Sequence, residues 1–305
     1  MRIIRSNILK GLARIVLGAV FMLSAVAKLS SMEGFELYIF SFGFAGFDIC
    51  SIAARLIVIG EFIIGLLLSL NVYPRQVKSL TALSLISFSI FLLWRTSLGD
   101  TESCHCMGDL VEMNPVQSLL KNLILLILLI YAWNYQGKVI RHQPIVAIVS
   151  ASLSAAAVFM VSPPDFYYRT RTESNDLSAD AFAPVADSLG LSKGRRAVCF
   201  YSASCEHCMH CASKMAGIVR RNGLPADSLY VIFMQTHVNQ DSVSVSFYAE
   251  HGEGLELPYS YLHPYDFLPL TDGAMPIVVL LEDGKPVKEY DYTTIDENEL
   301  TSFFR

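Results

Sequence analysis

Long apolar runs dominate the first half of the chain, and short strand-like ones the second. Ile8–Leu29, Phe47–Leu70, Val77–Leu98 and Val116–Tyr135 are each about 20 residues, enough to cross a hydrocarbon core of ~30 Å as helices. A fifth run, Ile145–Val161, is shorter and rich in Ala and Ser. It ends at Pro163-Pro164, and Phe166-Tyr167-Tyr168 follow, aromatics of the kind that gather at a membrane interface. The pattern predicts a fifth span here, with a helix lying on the membrane as the alternative.

Beyond Pro164 the pattern changes. Residues 165–194 hold no long apolar run and are rich in Ser, Asp, Ala and Thr, as a tether is; residues 181–190 offer a short helix. Arg196–Tyr201 reads as a buried strand, Ser202-Ala203-Ser204 as a turn, and Cys205 as the start of a helix reaching about Arg221. Ser228–Gln235 and Met275–Leu281 read as two further strands. Asp283-Gly284 turns a hairpin into Val287–Tyr290. Asp296–Phe304 closes the chain as a helix, with Asp296 or Thr294 as its N-cap. The intervening 241–272, rich in Tyr, His and acids, reads as an insertion that shapes partner recognition or packs as an extra helix.

Composition sharpens this division. The 305 residues are 53% hydrophobic and only 17% charged, and the mean hydropathy is +0.43, against a usual charged share of about 25%. A soluble enzyme, a disordered chain and a nucleic-acid binder are all poor fits, since the net charge is -5 and no basic block exceeds two residues. The first 162 residues carry a net charge of +4 and the remainder -9.

Charge also predicts orientation. Arg2, Arg5 and Lys10 precede the first span, Arg75 and Lys78 lie between the second and third, and Lys138 and Arg141 between the fourth and fifth. The other loops carry acids and no Lys or Arg. The positive-inside rule then places the N-terminus in the cytoplasm, and residues 98–114 and 163–305 together on the outer side. Ala25-Val26-Ala27 could serve as a signal-peptide cleavage site, but Arg14 interrupts the apolar stretch before it.

Charges inside spans are costly and usually face a protein interior or cavity. Arg14 and Glu61 both fall ~10–14 Å from the cytoplasmic face, counting 1.5 Å per residue, so they could pair. The pair would either fix helix packing or form a polar site for a quinone or a proton path. Lys28 and Arg55 lie nearer the outer face.

Seven cysteines remain to be placed. Cys199 sits in a strand and reads as core. Cys50, Cys104, Cys106, Cys205, Cys208 and Cys211 all fall on the outer side or at its boundary, where disulfides are permitted. Their close spacing suggests redox chemistry or metal binding rather than a framework of structural bridges. A Cys104–Cys106 disulfide would close a small, reactive ring; Cys50 could instead bridge to either. Cys205 begins a helix, where unpaired N–H groups and the dipole favour a thiolate. It is therefore the expected nucleophile. Cys208, one turn in, resolves the mixed disulfide, and His207 between them can hold the thiolate. Cys211 reads as a buried small residue, a third redox cysteine or, with His210, part of a Cys/His metal cluster. The strand–turn–helix context explains the first pair without metal.

Two resemblances follow from these residues. Arg14-Ile-Val-Leu-Gly18 with Phe21, Ser24 and Lys28, and Gly60-Glu61 with Gly65, resemble the first two helices of the DoxX/MauE family of four-helix membrane proteins. Cys104-His105-Cys106-Met107-Gly108 is similar to the C-x-C-F-G signature of its MauE branch, with Met for Phe. This resemblance covers roughly residues 8–136 and implies redox chemistry or maturation of disulfide-containing partners. The order of elements in residues ~183–305, with Cys205-Glu206-His207-Cys208 and then Met275-Pro276, resembles thioredoxin-like proteins. That likeness implies a cis proline whose preceding backbone, at Met275, pairs with an extended substrate chain.

The expected architecture is therefore an α-helical polytopic membrane bundle followed by an α/β thioredoxin-like domain. Residues 1–142 form a DoxX/MauE-like four-helix domain, 143–162 a fifth transmembrane helix, 163–182 a linker and 183–305 a periplasmic thioredoxin-like domain. The expected function is a thiol–disulfide oxidoreductase of a bacterial inner membrane. It relays electrons between Cys104/Cys106 and Cys205/Cys208 and acts on thiols and disulfides of exported proteins. A tether of ~30 residues reaches at most ~100 Å, which lets the two pairs meet. Alternatives are a non-enzymatic maturation factor and a quinone-linked electron-transfer subunit that uses Glu61 and Arg14. No firmly bound cofactor, metal or nucleic acid is expected.

Overall fold

A computed structural model of the chain describes residues 2–98, 104, 106–109, 111, 113–169, 179–236, 240–252, 255 and 257–305. It divides into two compact units, Met1–Ile39 with Ser51–Pro163, and Phe40–Cys50 with Pro164–Arg305.

The first unit is helical. It contains α1 (Arg2–Ser30), most of α2 (Met32–Phe40) and of α3 (Phe47–Leu70), then α4 (Pro74–Ser97), a short extended segment β1 (Cys106–Asp109), α5 (Pro115–Ala132) and α6 (Gln143–Val161). Asn7–Ser30 of α1 and the whole of α3, α4, α5 and α6 are long and apolar enough to cross a membrane, as the hydrophobic runs predict. Leu17, Phe21, Ile64, Leu68, Leu85, Leu125 and Leu129 bring α1, α3, α4 and α5 around one core. A second cluster, with Ala25, Met32, Phe35, Ala54, Val58 and Val158, joins α2 and α6 to α1 and α3. Leu12, Leu83, Ile90, Ile127, Ile148 and Leu153 point outward instead, as lipid-facing side chains do.

Lipid tails are as apolar as these helices, so association depends on close packing and internal polar bonds rather than on burial from water. Both devices are present. A Cβ on Gly18 would stand 2.6 Å from the Gly65 carbonyl oxygen, so α1 and α3 touch backbone to backbone there. Arg55, fully buried on α3, donates to Glu36 of α2 at 2.5 Å, to Ser51 and to the Ser162 and Pro163 carbonyls after α6. Charge-assisted bonds of this kind hold three helices on one guanidinium. The sequence pattern did not separate α2, which lies in the acidic stretch after the first span.

The second unit is thioredoxin-like. It holds α7 (Phe166–Arg169), α8 (Ala179–Ser188), β2 (Arg195–Tyr201), α9 (Glu206–Asn222), β3 (Leu229–Met234), α10 (Gln240–His251), β4 (Tyr259–Leu262), α11 (Pro264–Thr271), β5 (Ile277–Glu282), β6 (Lys285–Asp291) and α12 (Glu297–Phe304). The sheet order is β4-β3-β2-β5-β6. β2, β3 and β4 run parallel, and β5 and β6 are antiparallel additions. The alternation of β2 explains its central place. Val198 and Phe200 face a core with Phe182, Ile232, Phe267, Val279 and Leu281. Cys199 and Tyr201 belong to the other side, where Tyr201 meets Phe233 and Phe247. The segment 241–272 supplies two helices and the edge strand β4, more than the single extra helix envisaged.

Asp296 caps α12, accepting from Asn298 N at 2.8 Å and Glu299 N at 3.2 Å. Thr294 instead braces the turn through Asp291.

The stretch read as a linker, 163–182, is not uniform. Residues 164–169 pack into the second unit, 170–178 lie outside the described residues, and α8 begins at Ala179. The physical reason is Lys214, buried on α9. Its ammonium meets Asp165 at 2.7 Å and the Tyr292 carbonyl at 3.1 Å, and lies 4.0 Å from the Phe47 ring centre. Arg169 likewise pairs with Asp48 at 2.8 Å and Asp296 at 3.2 Å.

Candidate functional site

The C-x-C sits on β1 and the residue before its neighbour, and both sulfurs are buried. Local chemistry fixes the segment on both sides. The Cys104 amide donates to the Met113 carbonyl at 3.2 Å, closing the loop. Ser24 of α1 donates to the Cys106 carbonyl at 2.9 Å. Gly108 has φ 56°, and a Cβ there would stand 2.3 Å from the Ala27 carbonyl oxygen. Only glycine lets β1 lie this close to α1.

The opposite wall is α5. Asn114 and Gln117 form a reciprocal capping box, with Pro115 in the first turn. That start sets the helix so that Ser118, Lys121 and Asn122 share one face, at the i, i+3, i+4 spacing. Ser118 Oγ lies 2.9 Å from Cys104 Sγ and 3.1 Å from Cys106 Sγ. Lys121 donates to Cys106 Sγ at 3.2 Å. The hydrogen bond between the two cysteines, joined by Lys121 and Ser118, pulls Cys106 below the ordinary thiol range. The same bond, with burial, pushes Cys104 up. The pair thus has one sulfur suited to negative charge and one suited to a proton.

Glu61 does not pair with Arg14 as expected. It accepts two bonds from Lys28, at 2.7 and 2.8 Å, and one from Ser24 at 3.0 Å. Arg14 instead donates to the Leu68 and Ser69 carbonyls, the latter at 2.9 Å, and stacks 5.0 Å from the Tyr135 ring centre. The cause is helix register. Gly18 of α1 lies against Gly65 of the antiparallel α3, so Arg14 is level with Ser69 and Glu61 with Met22, about 12 Å further along the axis. Helical side chains lean toward their own N-terminus, so Lys28 and Glu61 lean together across the remaining gap. Glu61, Lys28, Ser24, Lys121 and Cys106 line one small cavity, with Asn122 and Phe88. A neighbouring cavity of about 520 Å³ is bounded by Val20, Val111, Met113, Leu120, Lys121 and Ile124.

In the second unit, Cys205 is the N-cap of α9. Its carbonyl accepts from the Cys208 and Met209 amides at 3.0 and 3.1 Å. Its sulfur is half-buried at the helix start, while Cys208 is fully buried one turn in. The Ser202 amide donates to Cys208 Sγ at 3.4 Å, and burial pushes the Cys208 thiol up. This is the arrangement the sequence spacing predicts for an attacking and a resolving thiol. The Met275–Pro276 peptide is cis, as expected, and leads directly into β5.

His207 is exposed on the first turn of α9, its ring 6.3 Å from that of Tyr292. His210 packs against the same ring at 6.3 Å. Cys211 is fully buried and accepts from Tyr201 Oη at 3.5 Å. Burial pushes both Cys211 and Cys199 up, which makes them core thiols in this state. Cys50 belongs to the second unit, where its thiol donates to the Ala45 carbonyl at 3.6 Å.

Sequence reading missed Ser118, Lys121 and the Lys28–Glu61 partnership. A signal existed: Ser118, Lys121 and Asn122 place three polar side chains on one face of an otherwise apolar span.

Comparison with known proteins agrees with this division. Residues 6–134 match the family model of methylamine utilisation protein MauE. Protein TlpB of Flavobacterium psychrophilum is 24% identical to this chain, over 96% of it and 94% of that protein. A solved structure of a secreted Mycobacterium tuberculosis disulfide oxidoreductase, described as homologous to E. coli DsbE, is similar over 45% of this chain and 96% of that one. Its identity is 12% and its TM-score 0.28. The chain is a membrane protein with a MauE-like domain, followed by a unit whose sheet order, cis proline and cysteine at a helix start are thioredoxin-like.

Proposed function

We propose that this chain is a membrane-bound thiol–disulfide oxidoreductase. It relays electrons between the Cys104/Cys106 and Cys205/Cys208 pairs and forms or reduces disulfides in exported proteins. One observation carries the reading: inside an otherwise apolar bundle, a lysine and a serine converge on the sulfurs of a C-x-C. A half-buried ammonium within an apolar span is costly unless it meets negative charge, and a Cys106 thiolate would provide that charge. The second pair on the same chain, with Cys205 at the start of α9, Cys208 one turn in and a cis Met275–Pro276, supports the same chemistry.

The Cys205 thiolate attacks one sulfur of a client disulfide and displaces the other as a thiolate. Cys208 then loses its proton and attacks the Cys205 sulfur. The client's second sulfur leaves, and two electrons have passed to the client. The reverse sequence oxidises a client dithiol. The basic loops support an orientation with the N-terminus in the cytoplasm and both thiol pairs in the periplasm of a bacterial inner membrane.

The test is a redox-state gel of single Cys→Ser variants at 104, 106, 205 and 208, trapped with acid and alkylated. An oxidoreductase cycles both pairs with dithiothreitol and oxidant, at a defined potential. A maturation factor that only holds its client keeps working when one member of a pair is lost.

Electron transfer to a quinone is a second reading, supported by the cavity of about 520 Å³ beside Lys121 and by Glu61 and Cys106 sharing the smaller one. Arg14 lies at the other end of α1 and plays no part in it. In quinone-free vesicles this reading expects the C-x-C to stay reduced until quinone is added.

A further inference from the structure

The two sulfurs of the C-x-C have different surroundings, and the difference assigns them different jobs. Cys104 and Cys106 belong to one apolar cluster with Leu92, against which Phe88, Phe91, Met107, Met113 and Leu119 pack. Cys104 also meets the Ser118 hydroxyl. Cys106 shares that hydroxyl and also faces the ammonium of Lys121. Among the described residues lining the cavity beside it, the other two charged groups neutralise each other. Glu61 of α3 is held by Lys28 of α1 at 2.7–2.8 Å, which leaves Lys121 to serve the sulfur.

Resting on the function proposed above, we infer that an incoming thiolate takes the Cys104 sulfur, and that Cys106 departs as a thiolate held by Lys121 and Ser118. In the oxidised pair the attack forms one bond, from the incoming sulfur to Cys104. It breaks one bond, Cys104–Cys106, and the electron pair goes to Cys106. The negative charge thus moves from the incoming sulfur to Cys106, beside the ammonium. No proton transfer is needed in the step itself. In the return step the Cys106 thiolate attacks Cys104, expels the bound thiol as thiolate and restores the disulfide. Exchange is faster when the leaving thiolate is stabilised, so opening at Cys104 is the favoured direction. Ser118 reaches both sulfurs and can turn its hydroxyl toward whichever bears the charge. Lys121 is a catalytic residue in this scheme, since it touches a reacting atom.

The test uses the full-length chain in nanodiscs, carrying Cys205→Ser and Cys208→Ser so that only the membrane pair exchanges. The oxidised protein is exposed briefly to limiting glutathione and quenched with N-ethylmaleimide, and the peptide is sequenced by mass spectrometry. Glutathione should be found on Cys104 and maleimide on Cys106, by about tenfold over the reverse. Lys121→Met should slow opening about tenfold and move Cys106 alkylation to higher pH, with Lys121→Arg restoring both. The pH profile separates a charge effect from a packing defect, and the wild-type labelling pattern does not depend on any Lys121 variant folding. Glutathione on Cys106, an even distribution, or a Lys121→Met profile identical to wild type would overturn the assignment and leave the oxidoreductase reading intact. A pair that neither glutathione nor dithiothreitol opens overturns both.

Discussion

The two thiol pairs reach comparable chemistry by opposite means. Around Cys205 and Cys208 the working parts are local: a turn, the first turn of α9, and the Ser202 amide six residues before the resolving sulfur. Around Cys104 and Cys106 they are tertiary. Ser24 comes from α1, Ser118 and Lys121 from α5, and the Lys28–Glu61 pair beside them joins α1 to α3. A backbone-built site needs only its own strand–turn–helix to form. A side-chain-built site exists only when these three helices are packed, so its reactivity and the stability of the bundle are tied together.

Substitutions separate the two designs. The largest effects fall on the sulfurs. Cys205→Ser should cut disulfide exchange by the thioredoxin-like unit by roughly two orders of magnitude or more, whereas Cys208→Ser should accumulate mixed disulfides on non-reducing gels. Trapping at Cys211 instead would place the nucleophile in the wrong register. Next come the buried charges. Lys28 is 4% exposed at its side chain and Glu61 21%, and removing one partner of a buried pair typically costs about 3–5 kcal/mol. Glu61→Leu should therefore lower the unfolding temperature strongly, and the double variant Lys28→Met/Glu61→Leu should recover much of the loss. An unchanged melting curve for Glu61→Leu would remove the pair from the account of the site. In the second unit, Lys214→Met, which strands Asp165, should increase hydrogen exchange over residues 164–169 while Cys205 remains reactive.

Gly108→Ala is a smaller change with a local target. The new methyl meets the backbone of Ala27, which cannot swing aside. A cost of roughly 1–3 kcal/mol is expected, together with slower exchange at Cys104/Cys106 and none at Cys205/Cys208. Equal slowing at both pairs would contradict the separation.

Alkaline pH provides the mildest contrast. Burial pushes Cys199 and Cys211 above the ordinary thiol value. A thiol raised on folding stays protonated in the native state and ionises when unfolded. Its contribution is therefore complete below the unfolded value and is lost as pH rises past about 8.5, at roughly 1.4 kcal/mol per thiol per pH unit. Cys106 is shifted the other way, so its contribution is present at alkaline pH and lost as pH falls through its lowered folded value. Thermal melts between neutral and mildly alkaline pH should show the thioredoxin-like unit weakening. The Cys199→Ala/Cys211→Ala variant should give a flatter slope, and an equally steep one would rule these thiols out as the cause.

The same local–tertiary divide decides what the sequence revealed. The spans were legible because bilayer thickness fixes their length. The α9 site was legible because Cys205, Cys208 and the strand before them are contiguous. The C-x-C was visible as a motif, but Lys121 sits in the middle of a span, and its target lies 15 residues away across a loop. Arg14 and Glu61 were matched by counting from the ends of the spans, but the Gly18–Gly65 contact sets a register in which Glu61 is level with Met22 and its partner is Lys28. The edge strand β4 was hidden because Tyr259–Leu262 is four residues long and finds its register only against β3.

The central claim is that the two pairs exchange electrons with each other, and it meets its most direct test in a Cys106→Ser/Cys208→Ser chain. Each pair then retains the sulfur assigned to form the bridge and lacks the one that would resolve it. Non-reducing mass spectrometry of this protein, purified from cells with free thiols blocked at lysis, should show one cross-linked peptide pair joining Cys205 to Cys104. Free thiols at both positions, or bridges only to other proteins, would mean that each pair serves its own partner and that no relay runs between them.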